Sequence, residues 1–471
     1  MNLYERFICA CELFPNNIAV VDGKTAHTYK ELLENVNRIS NLINTLIDGY
    51  TGNICVYMNK TFDCVATIFA IYSCGCTFVP IDKNMPVSKL EYIIDDADAL
   101  LVISDINNCT QIDVSWINLA FNTVAISKNI FYDSNHDKNV AYILYTSGTT
   151  GNPKGIEITH AAADAFVSWA QEQVQVKQLD NLASHAPFSF DLSVFDIYCA
   201  LFSGAKLVLM QRGINAFVKS VRKYIENNRI SIWYSVPSII IKLLENDDGN
   251  TFKSLRVLIY AGESMPYKYV NKLNVLYPSM RIFNFYGPTE TNVITFYEID
   301  KSRQYTDEIP IGYPCPYAKV SIIKEDGNNA EIGECGELCV VTKSRMKGYR
   351  NKPLLRDIYL TGDIVRKIDD NCYSFIGRKD NMVKVNGFRV ELEEIESAIE
   401  SYTSIETAVV SVQAERDVDV IIAFYTSKSV INQTDIQVFL STQLQSYKIP
   451  TRFEKVDNID FNDRGKKMRK I

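Results

Sequence analysis

The sequence predicts an α/β protein: a large N-terminal domain of parallel-type sheets with helices plus a small β-barrel, followed by a small α+β C-terminal domain. Three observations support this fold class. Short apolar stretches alternate with helical patterns over the first two thirds of the chain, which is typical of a parallel sheet covered by helices. From about residue 310 the apolar residues alternate by twos around glycine turns. Near Gly377 a hairpin pattern followed by a helix begins, so we predict domains at 1–378 and 379–471.

The elements of the N-terminal part follow one another as short strands separated mostly by helices. HTYKELLENVNRISNLINTLI has apolar residues at helical spacing, with Thr28 as a possible cap. FDCVATIFAIYS predicts a second helix that stops at Gly75. The predicted strands are NICVYM, TFVPID, ALLVIS, VAYILYTS, AKLVLM, SIWYSV and LRVLIYAG.

The remaining elements are hairpins first and then a mixed domain. AKVSIIKEDGNNAEIGECGELCVV predicts hairpins or the small barrel. In the last part, GRKDNMVKVNGFRVELEEIESAIE predicts a hairpin and a helix, VDVIIAFYT a strand, and TDIQVFLSTQLQS another helix.

Composition excludes several classes of protein. The chain has 471 residues, 47% hydrophobic and 22% charged, an ordinary globular balance. A net charge of −7 gives no electrostatic footprint for nucleic acid. No apolar run reaches the roughly 20 residues of a membrane span, and Glu5, Arg6 and Glu12 interrupt any signal-peptide core. We therefore expect a cytoplasmic protein that binds neither nucleic acid nor membrane.

The 12 cysteines are spread along the chain, and only four histidines accompany them. The pairs CAC, CGC and CGELC have no histidine at the spacing of a zinc site. We expect reduced, partly buried thiols rather than a metal cluster.

The stretch YTSGTTGNPKG, from Tyr145 to Gly155, lies between a predicted strand and a predicted helix. Its glycines let backbone N–H groups approach a ligand closely, and its hydroxyls and one lysine add further donors. Such donors suit a polyphosphate, although the spacing differs from the common phosphate loop, which ends in Gly-Lys-Ser/Thr. The predicted phosphate ligands are Thr146, Ser147, Gly148, Thr149, Thr150 and Lys154.

Together with downstream motifs, this loop resembles the phosphate loop of the adenylate-forming superfamily. That superfamily includes acyl-CoA synthetases, firefly luciferase and the amino-acid adenylation domains of nonribosomal peptide synthetases. The resemblance extends from Thr28 to Lys470 and implies a mobile C-terminal domain. In family order, the motifs are HTYKEL, SCGCTFVPID, YTSGTTGNPKG, FSFDLSVFDIY, NFYGPTE, GELCV, YLTGD, GRKDNMVKVNGFRVELEEIE, QSYKIP and GKKMRK.

The resemblance implies an ATP- and Mg²⁺-dependent reaction, in which a carboxylate attacks the α-phosphate of ATP and gives an acyl-adenylate and pyrophosphate. In NFYGPTE, it implies that Asn284 bonds the adenine, Tyr286 stacks on it and Thr289 meets the α-phosphate beside Gly287. Glu290 is the implied Mg²⁺ ligand and, with Thr149, part of the catalytic set.

Other motifs complete the implied nucleotide site. Asp363 of YLTGD accepts from the ribose hydroxyls, although Leu360 stands where the family usually has arginine. Arg378 and Lys384 also touch the nucleotide.

Near the C-terminus, the resemblance implies that a catalytic lysine bridges carboxylate and phosphate during adenylation. Aligning RGKKMRK with the family's Asn-Gly-Lys pattern assigns this role to Lys466, with Arg464 in the asparagine position and Lys467 as the alternative register. Asp380 matches the hinge about which the C-terminal domain rotates. Gly387 would then line a tunnel for a phosphopantetheine thiol, where glycine leaves room for a thin arm; the alternative is a plain hairpin turn.

The stretch FSFDLSVFDIY indicates the class of substrate. In amino-acid-activating members, the residue matching Asp191 pairs with the α-ammonium of the substrate, whereas a fatty or aryl acid brings no ammonium. The alternative is a helix capped by Asp191. The matching side-chain pocket is uncharged, so we expect an amino acid with an uncharged, mostly apolar side chain. Its residues are Leu192, Phe195, Ser238, Ile259, Ala261, Phe285, Val293 and Ile294.

The resulting hypothesis is a ligase that adenylates an amino acid and transfers it to the thiol of a separate phosphopantetheinylated carrier protein, unless the chain is part of a longer synthetase. Two alternatives remain within the superfamily. A D-alanine–carrier protein ligase fits SFDLSVFDIY, but Ala261 stands where those enzymes usually have cysteine. An acid–CoA ligase using free CoA would leave Asp191 without a role. A binding module without catalysis is the alternative from another class.

The alignment of the terminal motif can be tested directly. Lys466→Ala is expected to slow adenylation by roughly 10²–10³-fold, the scale of one charge-stabilising group. Amino-acid-dependent exchange of pyrophosphate into ATP measures this step. Lys467→Ala is the matched control, and a larger loss in that variant would contradict the register.

Overall fold

The computed structural model describes most of the chain. The described residues are 1–105, 116–119, 123–125, 136–147, 152–211, 214, 217–245, 247–352, 357–380, 382–385, 387–415, 418–427 and 431–459. Four predicted site residues, Gly148, Thr149, Thr150 and Lys466, lie outside this part.

The larger of two mixed sheets in the N-terminal part has nine strands, of which the central six are parallel. In spatial order they are Tyr313–Pro314, Thr295–Glu298, Arg281–Tyr286, Val257–Tyr260, Ile232–Ser235, Asn181–Ser184, Lys206–Leu209, Ile18–Asp22 and Thr25–Thr28. This confirms the parallel sheet that the alternating pattern predicts.

The second mixed sheet has eight strands, and its central five are also parallel. In spatial order they are Gly348–Tyr349, Lys154–Thr159, Val140–Thr146, Thr77–Pro80, Asn53–Tyr57, Ala99–Ser104, Trp116–Asn118 and Thr123–Ala125. The edge strand Gly348–Tyr349 pairs with Lys154–Thr159, the strand that follows the predicted phosphate loop.

Helices join the two sheets through one buried apolar cluster that includes residues of both. The helices of the N-terminal part are Leu3–Leu13, Tyr29–Ile47, Phe62–Ser73, Val87–Asp96, His160–Val174, Leu192–Val194, the π-helix Phe195–Cys199, Ala200–Phe202, Val218–Asn227, Pro237–Leu244 and Tyr267–Leu276. The predicted cap is confirmed, because the Thr28 hydroxyl accepts from the N–H of Glu31 and the Glu31 carboxylate accepts from the N–H of Thr28. Gly75, just beyond the helix Phe62–Ser73, has the left-handed φ of 68° expected of a helix stop.

The region after Pro310 forms a four-stranded antiparallel sheet, as the alternation by twos predicts. Its strands, in spatial order, are Ala318–Ile323, Cys335–Thr342, Tyr359–Lys367 and Tyr373–Arg378. A bridge between Gly312 and Tyr373 ties this sheet to the segment that leaves the nine-stranded sheet.

The C-terminal part begins with the hairpin Met382–Val385 and Phe388–Glu391, called here the hairpin. The helices Leu392–Glu400 and Gln433–Ser441 follow, together with a short 3₁₀ turn, Ser446–Lys448. They pack on a three-stranded sheet of Thr407–Glu415, Val418–Thr426 and Arg452–Lys455. This part has an apolar core of its own, drawn from residues between Val383 and Phe453, as expected of the α+β unit predicted there. Among all the helices described, none has the length and apolar character needed to cross a bilayer.

His160, at the start of its helix, should make stability pH-dependent. Its Nδ1 accepts from the Leu3 N–H at 3.4 Å, and its ring lies edge-on to Tyr72. Burial lowers the pKa of His160 from 6.5 to about 4. The unfolded chain therefore binds a proton more readily than the folded chain, so stability is highest above about pH 6.5 and falls as the pH drops toward 4.

In the His160→Gln variant, we expect the free energy of unfolding to fall by about 1–2 kcal/mol less between pH 7 and 4 than in the unmodified protein. Urea unfolding at several pH values measures it, and His27→Gln, on the partly exposed strand Thr25–Thr28, is the matched histidine control. Equal pH slopes for His160→Gln and the unmodified protein would contradict this assignment.

Candidate functional site

A deep cleft lies where the parallel strands of both sheets end and the hairpin meets them. Ligand sites of open α/β sheets occur at these carboxyl ends. The cleft has about 1300 Å³ of empty space when the open solvent at its mouth is included.

The cleft brings together predicted residues from distant parts of the sequence. Those lining it are Thr146, Ser147, Asp191, Leu192, Ala261, Gly287, Thr289, Val293, Asp363, Arg378, Lys384 and Gly387. The other described candidates surround the cleft without lining it: Lys154, Phe195, Ser238, Ile259, Asn284, Phe285, Tyr286, Glu290, Ile294 and Asp380. Of these, Lys154 pairs with Thr146 in the sheet, and the Asn284 amide donates to the carbonyl of Pro310 at 2.8 Å.

Asp191 lies at the start of the helix Leu192–Val194, but its side chain makes no capping hydrogen bond. Its Oδ2 instead accepts from the Thr289 hydroxyl at 2.8 Å. Burial raises the pKa of Asp191, while the Thr289 bond and the nearby charge of Lys384 act in the opposite direction. Asp191 is partly buried, and a carboxylate shielded from water at the wall of a cleft is suited to bind a cation there.

Glu290 is completely buried. Its Oε1 accepts from the Tyr349 hydroxyl at 2.6 Å and from Nη1 of Arg389, in the hairpin, at 2.8 Å. Burial acts to raise the pKa of Glu290, but the Arg389 charge and the Tyr349 bond outweigh it and hold the pKa below its usual value. Within the described part of the chain, its Oε2 is buried without a hydrogen-bond partner. An oxygen in this state suits a hard divalent cation such as Mg²⁺.

Asp363 is held from two sides, by the Tyr286 hydroxyl and by the guanidinium of Arg378. Arg378 also binds Asp380 through two hydrogen bonds of 2.6 and 2.7 Å. Burial acts to raise the pKa of Asp380, but the pairing with Arg378 keeps it below its ordinary value. One guanidinium thus connects the predicted ribose ligand to the predicted hinge residue.

Gly387 forms the turn of the hairpin and packs against the backbone of the large domain. Its φ of +80° favours glycine, and a Cβ there would lie 2.3 Å from Cγ1 of Val236. The opposing residue, Gly262, is also in the left-handed region, and its own Cβ would lie 3.7 Å from the Gly387 Cα. The N–H of Gly387 donates to Oε1 of Glu263 at 2.6 Å. Only glycine allows this close approach.

The pocket beyond Asp191 has neutral walls. Leu192, Ala261 and Val293 face the cleft together with Tyr234. The Tyr234 ring packs edge-on against Phe195 and Phe285, with centroids 5.5 and 5.8 Å away. Behind the walls, Ile259 and Ile294 are fully buried in the main core. The rings of Phe195 and Phe285 thus support Tyr234 from behind the cleft wall.

The sequence did not single out four residues in and around the cleft. Tyr234 and Arg389 line it, whereas Tyr349 and Glu263 do not line it and bind Glu290 and Gly387. A local signal existed for two of them. Arg389 follows Gly387 by two residues in the same motif, and Glu263 comes directly after the strand pattern LRVLIYAG. Tyr349 reaches Glu290 across 59 residues of sequence, and no local pattern predicts that contact.

Comparisons with known proteins identify the family of this chain. The family model described as "AMP-binding enzyme" matches residues 9–350. An L-proline–[L-prolyl-carrier protein] ligase of Pseudomonas fluorescens is 36% identical over 439 residues, covering 88% of this chain and 86% of that protein. The zwittermicin A synthase ZmaJ of Bacillus cereus is 30% identical over 482 residues, covering 97% and 92%.

Among solved structures, holo-PA1221, an NRPS protein with adenylation and PCP domains, superposes with a TM-score of 0.85. It is 23% identical and covers 99% of this chain and 83% of that one, which supports the fold. Since the family model covers more than half of the sequence and both relatives align over most of their length, the chain belongs to the AMP-binding enzyme family.

Proposed function

We propose that this enzyme activates an amino acid with an uncharged, compact and mostly apolar side chain. The chain is an ATP-dependent, AMP-forming ligase that makes an aminoacyl-adenylate and transfers the aminoacyl group to the phosphopantetheine thiol of a carrier protein. The relative from Pseudomonas fluorescens is named for this activity with L-proline, and ZmaJ is named as a zwittermicin A synthase. A cytoplasmic location, as predicted from the sequence, fits an enzyme that consumes ATP.

The observation that carries the substrate class is the carboxylate of Asp191, which is partly buried and faces the cleft. An α-ammonium group placed against it would neutralise its charge, whereas a bound fatty or aryl acid would cover that charge without pairing it. Removing one partner of a buried charge pair costs about 3–5 kcal/mol, or roughly 10²–10³-fold or more in affinity. This difference favours amino acids over other carboxylic acids.

The walls of the pocket support the choice of side chain. Leu192, Ala261 and Val293 offer no charge or strong polar group, so a charged side chain would lose its hydration without gaining a partner. The ring of Tyr234 also lines the cleft. Proline, which is compact and apolar, is the first candidate, and the relative named for it supports this choice.

In the proposed reaction, a carboxylate oxygen of the amino acid attacks the α-phosphorus of ATP, and the bond to pyrophosphate breaks. Thr289 lies beside Asp191 and can donate to a phosphate oxygen once the ammonium occupies Asp191. The phosphate loop with Lys154 would bind the phosphates, and Asp363 the ribose. The thiol sulfur then attacks the acyl carbon, its proton is released, and AMP leaves.

The surroundings of Glu290 fit a Mg²⁺ ion, because its Oε2 is buried without a partner among the described residues. A bound Mg²⁺ would neutralise charge on the phosphates. Arg389 holds the other oxygen of this carboxylate and keeps it ionised.

The substrate proposal is tested by amino-acid-dependent pyrophosphate exchange over both enantiomers of the amino acids. Compact apolar amino acids, proline first, are expected to give the strongest signal. Asp191→Asn, which keeps the size but removes the charge, should lower kcat/KM for the amino acid by roughly 10²–10³-fold. Silence for every amino acid would reject the proposal, and preference for a charged one would reject the assigned pocket.

The role of Gly387 is tested by a variant that introduces a steric clash and by a second substitution that removes part of that clash. Gly387→Ala places a methyl group against Val236, so we expect transfer to slow by about 10- to 100-fold while pyrophosphate exchange persists. Free pantetheine serves as the acceptor thiol in a single-turnover assay. Adding Val236→Ala removes the atom at 2.3 Å and leaves one at 3.1 Å, so partial recovery is expected. Val236→Ala alone is the control, and equal loss in both steps would contradict a role in transfer.

A further inference from the structure

The turn of the hairpin is held by a carboxylate to which the proposed reaction assigns no role. Glu263 follows Gly262 in the loop after the strand Val257–Tyr260. Its Oε1 accepts from the N–H of Gly387 at 2.6 Å, and its Oε2 accepts from the N–H of Ser238 at 2.9 Å. Each oxygen thus binds one backbone amide, one in the large domain and one in the hairpin.

We propose that Glu263 is a positioning residue for the thiol-transfer step, acting through its hydrogen bond to the turn of the hairpin. This proposal rests on the proposed function, in which Gly387 lines the path of the thiol. The carboxylate fixes the position and orientation of the turn relative to the loop that carries Glu263. The facing glycines, Gly262 and Gly387, allow the backbones of the turn and the loop to approach.

The chemistry of this contact suits a reversible connection between domains. A carboxylate accepts stronger hydrogen bonds from N–H groups than a neutral oxygen does, so it can hold the backbone at Gly387, a residue with no side chain to pack. On the hairpin side the contact consists of one backbone amide. It can therefore break when the hairpin moves out of the cleft without any side chain of the hairpin having to rearrange. Its second bond, to Ser238 at the start of the helix Pro237–Leu244, keeps the carboxylate in place in the absence of the hairpin.

The two half-reactions should therefore respond differently to the loss of this carboxylate. Adenylation requires the segment of Lys466, and the family resemblance implies that the C-terminal domain rotates between the two steps. The bond from Gly387 to Glu263 exists only while the hairpin occupies the cleft. We expect that loss of this hydrogen bond destabilises the position of the hairpin used for thiol transfer and leaves adenylation unaffected.

The test compares Glu263→Gln and Glu263→Ala with the unmodified protein. Glu263→Gln keeps the shape but loses one acceptor oxygen, and Glu263→Ala loses both. Glu308→Gln, an exposed carboxylate of the large domain, is the matched control. We expect pyrophosphate exchange within about threefold of the unmodified enzyme and single-turnover transfer to free pantetheine slowed by about 10- to 100-fold.

Hydrogen–deuterium exchange supplies a readout that does not depend on activity. Peptides covering residues 382–391 should exchange about 5- to 10-fold faster in both variants, whereas peptides of the strands Val257–Tyr260 and Arg281–Tyr286 should not change. Peptides covering residues 237–244 report any loss of protection in the helix Pro237–Leu244, where Glu263 binds Ser238. Unchanged protection of the hairpin in Glu263→Ala, or equal loss of both half-reactions, would overturn the proposal. Failure of the unmodified enzyme to exchange pyrophosphate would reject the proposed function instead, and the hairpin measurement would still report on the contact.

Discussion

The ion pair between Glu290 and Arg389 is the interaction on which the arrangement of the cleft depends. Glu290 is fully buried, whereas Arg389, in the hairpin, is partly exposed. Removing Arg389 would leave the charge of Glu290 buried and unpaired, which costs about 3–5 kcal/mol. Arg389 also contacts Ser147, because its carbonyl accepts from the Ser147 hydroxyl at 2.9 Å. The same hairpin residue therefore binds both Glu290 and a residue of the predicted phosphate loop.

A second set of contacts holds the C-terminal part beside the cleft. Glu394 accepts from Lys89 of the large domain and, through its other oxygen, from Lys448 at 2.7 Å. Burial lowers the pKa of Lys448, while the charge of Glu394 acts to raise it. Nearby, the ring of Phe388 stacks on Tyr447 with centroids 3.8 Å apart and meets Phe190 edge-on. Phe190 precedes Asp191, so an aromatic contact links the hairpin directly to the proposed substrate site.

Sequence patterns predicted the structural features that are determined by residues close together in the sequence. The cap at Thr28, the alternating strands and helices, and the hairpin around Gly387 all follow from local periodicity or turn chemistry. The segment that follows Asp191 was harder to predict, because an apolar helical pattern does not distinguish an α-helix from the π-helix Phe195–Cys199. The partners of Glu290 could not be predicted either, because Arg389 lies 99 residues away and only the folded chain brings the two together. Tyr234 was missed for a related reason: its strand pattern indicates burial but not which face meets the cleft.

The short edge strand Gly348–Tyr349 has a consequence for any attempt to divide this protein. It pairs with the strand that begins at Lys154, and the Tyr349 hydroxyl holds Glu290. Next to it, Arg350 binds Glu157, 193 residues earlier in the chain. A fragment ending before residue 348 would lack the edge strand that pairs with Lys154–Thr159. A split reporter built from this enzyme therefore has to be cut on the C-terminal side of that strand.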